Sequence, residues 1–137
     1  MSNNLDAELN KLGFEIVDEI DKQKDKKLRK NLINHIDKAL GVLANDGVYA
    51  YYVFCLSKDK DDNNENSKKP YREIFVQKVK DKLLMFLPTN YKDKIDLQDF
   101  FEELSGELHD LLFFKDALER ALIYARYHAK ALGDKDE

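Results

Sequence analysis

Apolar residues along this chain fall into stripes at helical spacing, separated by short polar breaks. Leu5, Leu9, Leu12, Ile16 and Ile20 recur at steps of three and four, with Val17 beside them. That spacing predicts a helix of about twenty residues with one buried face. Asp6 and Glu8 lie near its N-terminal end, where the helix dipole favours negative charge. Gly13 falls inside the stripe at some cost in helix propensity. The Lys-rich run 22–27 has no apolar residue and predicts the first break, or a solvated helix end. Leu28, Leu32, Ile36, Leu40 and Leu43 form a second stripe. Asn45-Asp46-Gly47 then ends it, because Asn and Gly accept the left-handed backbone that closes a helix.

Val48 to Leu56 is apolar or aromatic at every position, so periodicity cannot separate a buried strand from a buried helix there. Propensity favours a strand, given the valines, tyrosines and phenylalanine. No second segment offers a strand partner, however, and a lone strand leaves its backbone hydrogen bonds unmade. We therefore expect a central helix, buried on most sides. Residues 58–69 (KDKDDNNENSKK) have no apolar residue and predict an exposed polar loop. The glycine and closing glutamate of an EF-hand loop are missing from it.

Pro70 suits a first helical turn. Tyr71, Ile74, Phe75, Val79, Leu83, Phe86 and Leu87 mark the amphipathic helix that follows, and Pro88 stops it. Asp96 opens a shorter helix with Leu97, Phe100, Phe101 and Leu104, ended by Ser105-Gly106. The last helix is expected over 114–132, with Leu118, Ala121, Leu122, Ala125, Ala129 and Leu132 on one face and Gly133 as its end. The fold expected for 1–137 is thus a single all-α domain, a compact bundle of about five long helices plus one or two short ones.

Composition agrees: 43% of residues are apolar and 36% charged, a globular balance with a heavily solvated exterior. No run approaches the roughly 20 apolar residues of a membrane span, and Met1-Ser2-Asn3-Asn4 lacks the basic and apolar parts of a signal peptide. Cys55 is the only cysteine, which excludes an internal disulfide. These features point to the cytoplasm. The net charge of −4 hides a strong polarity. Residues 22–30 hold six basic side chains against one acid, whereas 96–110 hold six acids and no Lys or Arg. Such asymmetry suits a subunit that meets an acidic partner on one face and a basic one on another; it also describes two solvated helix faces.

The sequence offers no catalytic constellation. His35 with Asp37, and His109 beside Asp110, evoke helical metal-dependent phosphohydrolases, but only His128 remains to extend the ligand set. No metal or other cofactor is expected. Cys55 lies in the most apolar segment, where a thiol packs rather than reacts. There is no Gly-x-Ser-x-Gly elbow and no phosphate-binding loop, so no enzyme activity is expected. Two features suit binding. Lys22, Lys24, Lys26, Lys27, Arg29 and Lys30 form a cluster able to track a nucleic-acid backbone without reading sequence. The last helix carries Ile123, Tyr127 and Arg120 opposite its core stripe, with Arg126 and Lys130 to one side.

The order of these features resembles the small helical subunit of type III-B CRISPR effector complexes, the Cmr complexes. The resemblance rests on Leu43 to Lys58, where a helix passes through an Asn-Asp-Gly turn into the apolar segment. It rests also on the closing run Ala117 to Leu132, rich in Ala, aromatic and basic residues. The family's usual tryptophan in that helix is absent, and Tyr124 or Tyr127 takes its place. The resemblance implies a non-catalytic subunit of an antiviral RNA-targeting complex. Copies of it would stack inside a crRNA-bearing backbone of larger subunits and help hold the crRNA–target RNA duplex. On that reading Lys26, Lys27, Arg29, Lys30, Arg120 and Arg126 contact RNA phosphates, and acidic 96–110 faces a basic neighbour or the next copy. The alternative is a helical protein–protein adaptor with no nucleic-acid contact.

Overall fold

The computed structural model describes residues 4–59, 69–93 and 96–136. Among them there is helix and no strand: α1 (Leu5–Asp21), α2 (Lys26–Asp46), α3 (Val48–Ser57), α4 (Pro70–Arg72), α5 (Lys78–Leu83), α6 (Leu97–Ser105) and α7 (Leu108–Asp136). The all-α bundle expected from the stripes is the fold observed.

The 29-residue α7 is the spine, about 43 Å long at 1.5 Å per residue. Helix α1 lies parallel to it: Asp6 meets Tyr124, Asn10 meets His128, and Phe14 stacks edge-on against His128. Their backbones touch at Gly13, where an added Cβ would stand 2.7 Å from Ala125 N and 2.8 Å from the Ala121 carbonyl. Only glycine fits there. The glycine that weakens α1 in isolation is what lets α1 reach the alanine stripe Ala117, Ala121 and Ala125 of α7. Helix α2 runs antiparallel to α7, with Asp37 on Arg126 and the start of α2 beside Ala129 and Leu132.

Gly47 joins α2 to α3 at φ 98° and ψ −179°, a region essentially restricted to glycine. Its N–H donates to the Leu43 carbonyl, and its own carbonyl accepts from Tyr51 N. One residue therefore closes one helix and opens the next. In α3 the buried residues are Val48, Tyr51, Tyr52 and Cys55, while Tyr49 and Val53 are exposed. The segment is helical as expected but buried on one side rather than most: α2, α6, α7 and the 70–86 segment cover that side and leave Tyr49 and Val53 outside. Tyr52 stacks on Phe101 (4.4 Å), which meets both Phe100 and Phe114 edge-on.

Of the polar loop expected at 58–69, Lys58 and Asp59 form a turn and Lys69 precedes α4; residues 60–68 lie outside the described residues. Asp59 accepts from Tyr71 N (3.2 Å) and Arg72 N (2.8 Å), capping α4 across the loop. The helix expected from Pro70 is continuous but changes pitch. A π turn (Glu73–Gln77) separates α4 from α5, and a 3-10 turn (Leu84–Phe86) ends the run. The stripe Tyr71, Phe75, Val79, Leu83 and Leu87 steps by four, which drifts about 40° per step in an ideal α-helix. A wider turn takes up part of that drift and buries Ile74, Phe75 and Val76 together.

The last helix differs from its expected bounds of 114–132 at both ends. It begins at Leu108, with Leu111 N already bonded to the Glu107 carbonyl, and it continues through Gly133. Gly133 has open space around it, so nothing forces a break there.

Candidate functional site

Two concavities join into one groove between antiparallel α2 and α7. One, of about 640 Å³, is lined by Val17, Ile20, Lys26, Arg29, Lys30 and Leu132 among others. The other, of about 580 Å³, is lined by Ile36, Asp37, Leu40, Ala44, Arg126 and Lys130 among others. They share Ile33, Asn34 and Ala129. The floor is apolar, and the rim carries Lys26, Arg29, Lys30, Arg126 and Lys130, with Asp21 and Asp37 as its acids. From Lys26 to Ala44 the groove follows α2 for about 27 Å, or five helical turns.

The fold thus brings four of the six basic residues expected at a binding surface, Lys26, Arg29, Lys30 and Arg126, to one groove. Lys27 is exposed on α2 and Arg120 sits elsewhere on α7, and neither lines it. The arginines already have partners within the chain. Arg29 Nη1 donates to the carbonyls of Gln23 (2.6 Å) and Lys24 (3.3 Å), tying down the α1–α2 junction. Arg120 pairs with Asp116 (3.5 Å) and Asp6 (3.8 Å), and Arg126 with Asp37 (3.3 Å). Lys26, Lys27 and Lys30 are exposed and form no ion pair among the described residues. Charge available to an outside ligand therefore resides on lysines more than on arginines.

The outer face of α7 carries Leu108 (69% exposed), Leu112 (57%), Ile123 (38%) and Tyr127 (63%). Acidic 96–110 lies on α6 and the start of α7, with Asp96, Asp99, Glu102 and Glu107 exposed. Asp110 accepts from the buried Tyr91 hydroxyl at 3.0 Å; burial, and then this hydrogen bond, push that phenol's pKa up.

The histidines are dispersed. His128 contacts Asn10 and Phe14, His109 is exposed, and His35 is buried. Among the described residues no group of three or more His, Cys, Asp or Glu is placed to hold a metal ion. His35 has a partner that its sequence neighbours do not reveal. Its Nε2 lies 3.3 Å from Cys55 Sγ, and its ring stacks on Phe54 and meets Tyr71 and Phe75 edge-on. Burial, then Lys58 and Lys38, lower the imidazole to about 4. Burial raises the Cys55 thiol far above its ordinary value. A neutral imidazole beside a protonated, inaccessible thiol is not an activated nucleophile.

Among the described residues no helix is long and apolar enough to cross a membrane. The fold and groove define a helical bundle with a basic-rimmed interhelical cleft. Compared with protein-family models, curated proteins and solved structures, the chain matches none of them.

Proposed function

We propose that this chain is a helical protein-binding module that takes the apolar face of a partner's amphipathic segment into the α2–α7 groove. One observation carries the reading: an apolar floor of Ile33, Ile36, Leu40 and Ala129 is bordered by Lys26, Lys30 and Lys130. A helix presenting apolar residues at i, i+3, i+4 and i+7 with acidic flanks complements that floor and rim. The exposed row on α7 gives a second apolar surface of the kind that marks subunit contacts. The test is affinity capture from the native host with the intact chain and with an Ala44→Glu/Lys130→Glu variant. Both positions are exposed, so the fold persists. A partner retained at high salt by the wild type and lost by the variant supports the reading. Equal capture by both overturns it.

A second reading has its own support: basic residues about a hundred positions apart converge on one groove, as a nucleic-acid backbone requires. It is the type III-B CRISPR small subunit, holding a crRNA–target RNA duplex beside larger subunits and further copies of itself. Lys26, Lys27 and Lys30 are then the principal phosphate contacts. Binding to such a duplex would weaken steeply with salt, by about 0.7–0.9 log units of affinity per log unit of salt for each phosphate neutralised. Charge reversal at the three lysines would abolish it. Binding that ignores salt excludes this reading and leaves the first.

A further inference from the structure

The outward face of α7 carries a pattern that neither the core nor the groove uses. At about 100° per residue, Leu112 and Ile123 fall within about 20° of one another on the helix surface, about 16 Å apart along its axis. Both are exposed, as are Leu108 and Tyr127 one turn further out at either end. Between them lie four charges on two flanks. Lys115 and Glu119 share one flank and pair at 3.8 Å; Asp116 and Arg120 share the other and pair at 3.5 Å. The pattern is the same read from either end about a point between Ala117 and Leu118. Leu112 corresponds to Ile123, Lys115 to Arg120 and Asp116 to Glu119. A two-fold interface requires a patch of this kind, complementary to itself.

We propose that α7 is a self-association face, on which two copies of the chain pack antiparallel about a two-fold axis at residues 117–118. Leu112 of each copy then lies on Ile123 of the other. Antiparallel packing sets each flank against the same flank of the second copy. Lys115 therefore meets the second copy's Glu119, and Asp116 meets its Arg120, each within about 1.5 Å of level along the axis. The four charges sum to zero, so covering the apolar pairs strands no charge without a partner. The wider charge distribution selects the antiparallel sense. The basic run 22–30 sits at the C-terminal end of α7, where Lys26 and Arg29 line one cavity with Leu132. Acidic 96–110 leads into the N-terminal end of the same helix. Packed parallel, two copies would bring like ends together; packed antiparallel, the acidic end of each lies beside the basic end of the other. One face of about five helical turns is smaller than the roughly 800 Å² per partner of a standard interface. The association is accordingly weak, with a dissociation constant of about 10–500 µM. It stands independently of the groove, whose lining includes none of these side chains.

The test is sedimentation equilibrium of the full chain from about 10 µM to about 2 mM, where a monomer–dimer equilibrium is expected. Leu112→Glu and Ile123→Glu, both at exposed positions, should each weaken the dimer at least about tenfold. Val53→Glu, at an exposed apolar position on α3, should leave it unchanged. Orientation is read by oxidative cross-linking of single-cysteine additions, with native Cys55 buried and silent. A mixture of Leu112→Cys and Ile123→Cys chains should give the mixed disulfide, and neither variant alone should cross-link to itself. A wild type that stays monomeric throughout, a dimer indifferent to Leu112→Glu and Ile123→Glu, or Leu112→Cys cross-linking to itself overturns the proposal.

Discussion

Alanine at position 13 sets helix propensity against packing, and the two predict opposite signs. In an open helix interior Gly→Ala adds about 1 kcal/mol of stability. At Gly13 the new Cβ would lie 2.7 Å from Ala125 N and from Tyr124 Cβ, whereas ordinary contact begins at 3.4 Å. Helices α1 and α7 must then part by roughly 0.7 Å, which forfeits a quarter to a half of each dispersion contact along the seam. The nearest atoms are mainly backbone, so no rotamer change relieves the clash. Overpacking of this kind costs about 1–3 kcal/mol. A clash with backbone that no rotamer relieves belongs in the upper part of that range, about 2–3 kcal/mol. After the propensity gain of about 1 kcal/mol the net loss is thus about 1–2 kcal/mol, or a melting midpoint lower by about 3–10 °C. Gly41 is the control: it is helical, and a Cβ there meets nothing within 4 Å. Gly41→Ala should raise stability by up to about 1 kcal/mol. Urea and thermal unfolding of both variants, followed by far-UV circular dichroism, give the comparison. A Gly13→Ala protein as stable as the wild type, or more so, would refute the close approach of α1 and α7.

Three further outcomes follow from the same packing. His35 is lowered from 6.5 to about 4 in the folded chain, so between those pH values the unfolded chain takes a proton that the folded chain refuses. Its contribution is intact above pH 6.5 and falls by about 3 kcal/mol as pH drops to 4. Unfolding free energies measured against pH should therefore fall less steeply on the acid side for His35→Gln, with the carboxylates common to both proteins cancelling. Tyr51→Phe removes the buried hydroxyl that donates to the Phe75 carbonyl at 2.7 Å and should cost about 1–3 kcal/mol in the same unfolding assay. Arg29→Lys cannot reproduce both bonds to the Gln23 and Lys24 carbonyls, and hydrogen exchange should quicken at the α1–α2 junction while the far end of α7 is unchanged.

Much of this fold is written in local pattern. The stripes of α1 and α2 name most of their buried residues, though Leu5, Leu28 and Leu40 are only partly covered and His35 and Ala39 are buried outside the stripe. Asn45-Asp46-Gly47 marks a turn whose positive φ only glycine adopts readily. The run Val48–Leu56 was ambiguous by periodicity, and the lack of a strand partner decided it correctly in favour of helix. What local pattern misses depends on tertiary contact. The π turn at Glu73–Gln77 buries Ile74, Phe75 and Val76 together, which no local repeat announces, and Gly13 reads as a helix weakness until Ala121 and Ala125 are placed against it. Helix α7 begins before its buried stripe does, because Leu108 and Leu112 are exposed. The basic residues near the site were legible as charge, but the groove was not, since it needs α2 and α7 antiparallel. Nothing in sequence sets His35 against Cys55.

Site-specific photo-crosslinking in the native host probes the groove most directly. A photoreactive residue at Ala44, at the end of the groove, is compared with one at Glu102, exposed on the acidic face of α6. If the groove receives a partner protein, irradiation at Ala44 yields one discrete protein adduct that Lys130→Glu diminishes and Glu102 does not reproduce. An adduct with RNA alone from Ala44, or the same protein adducts from both positions, would contradict a protein-binding groove.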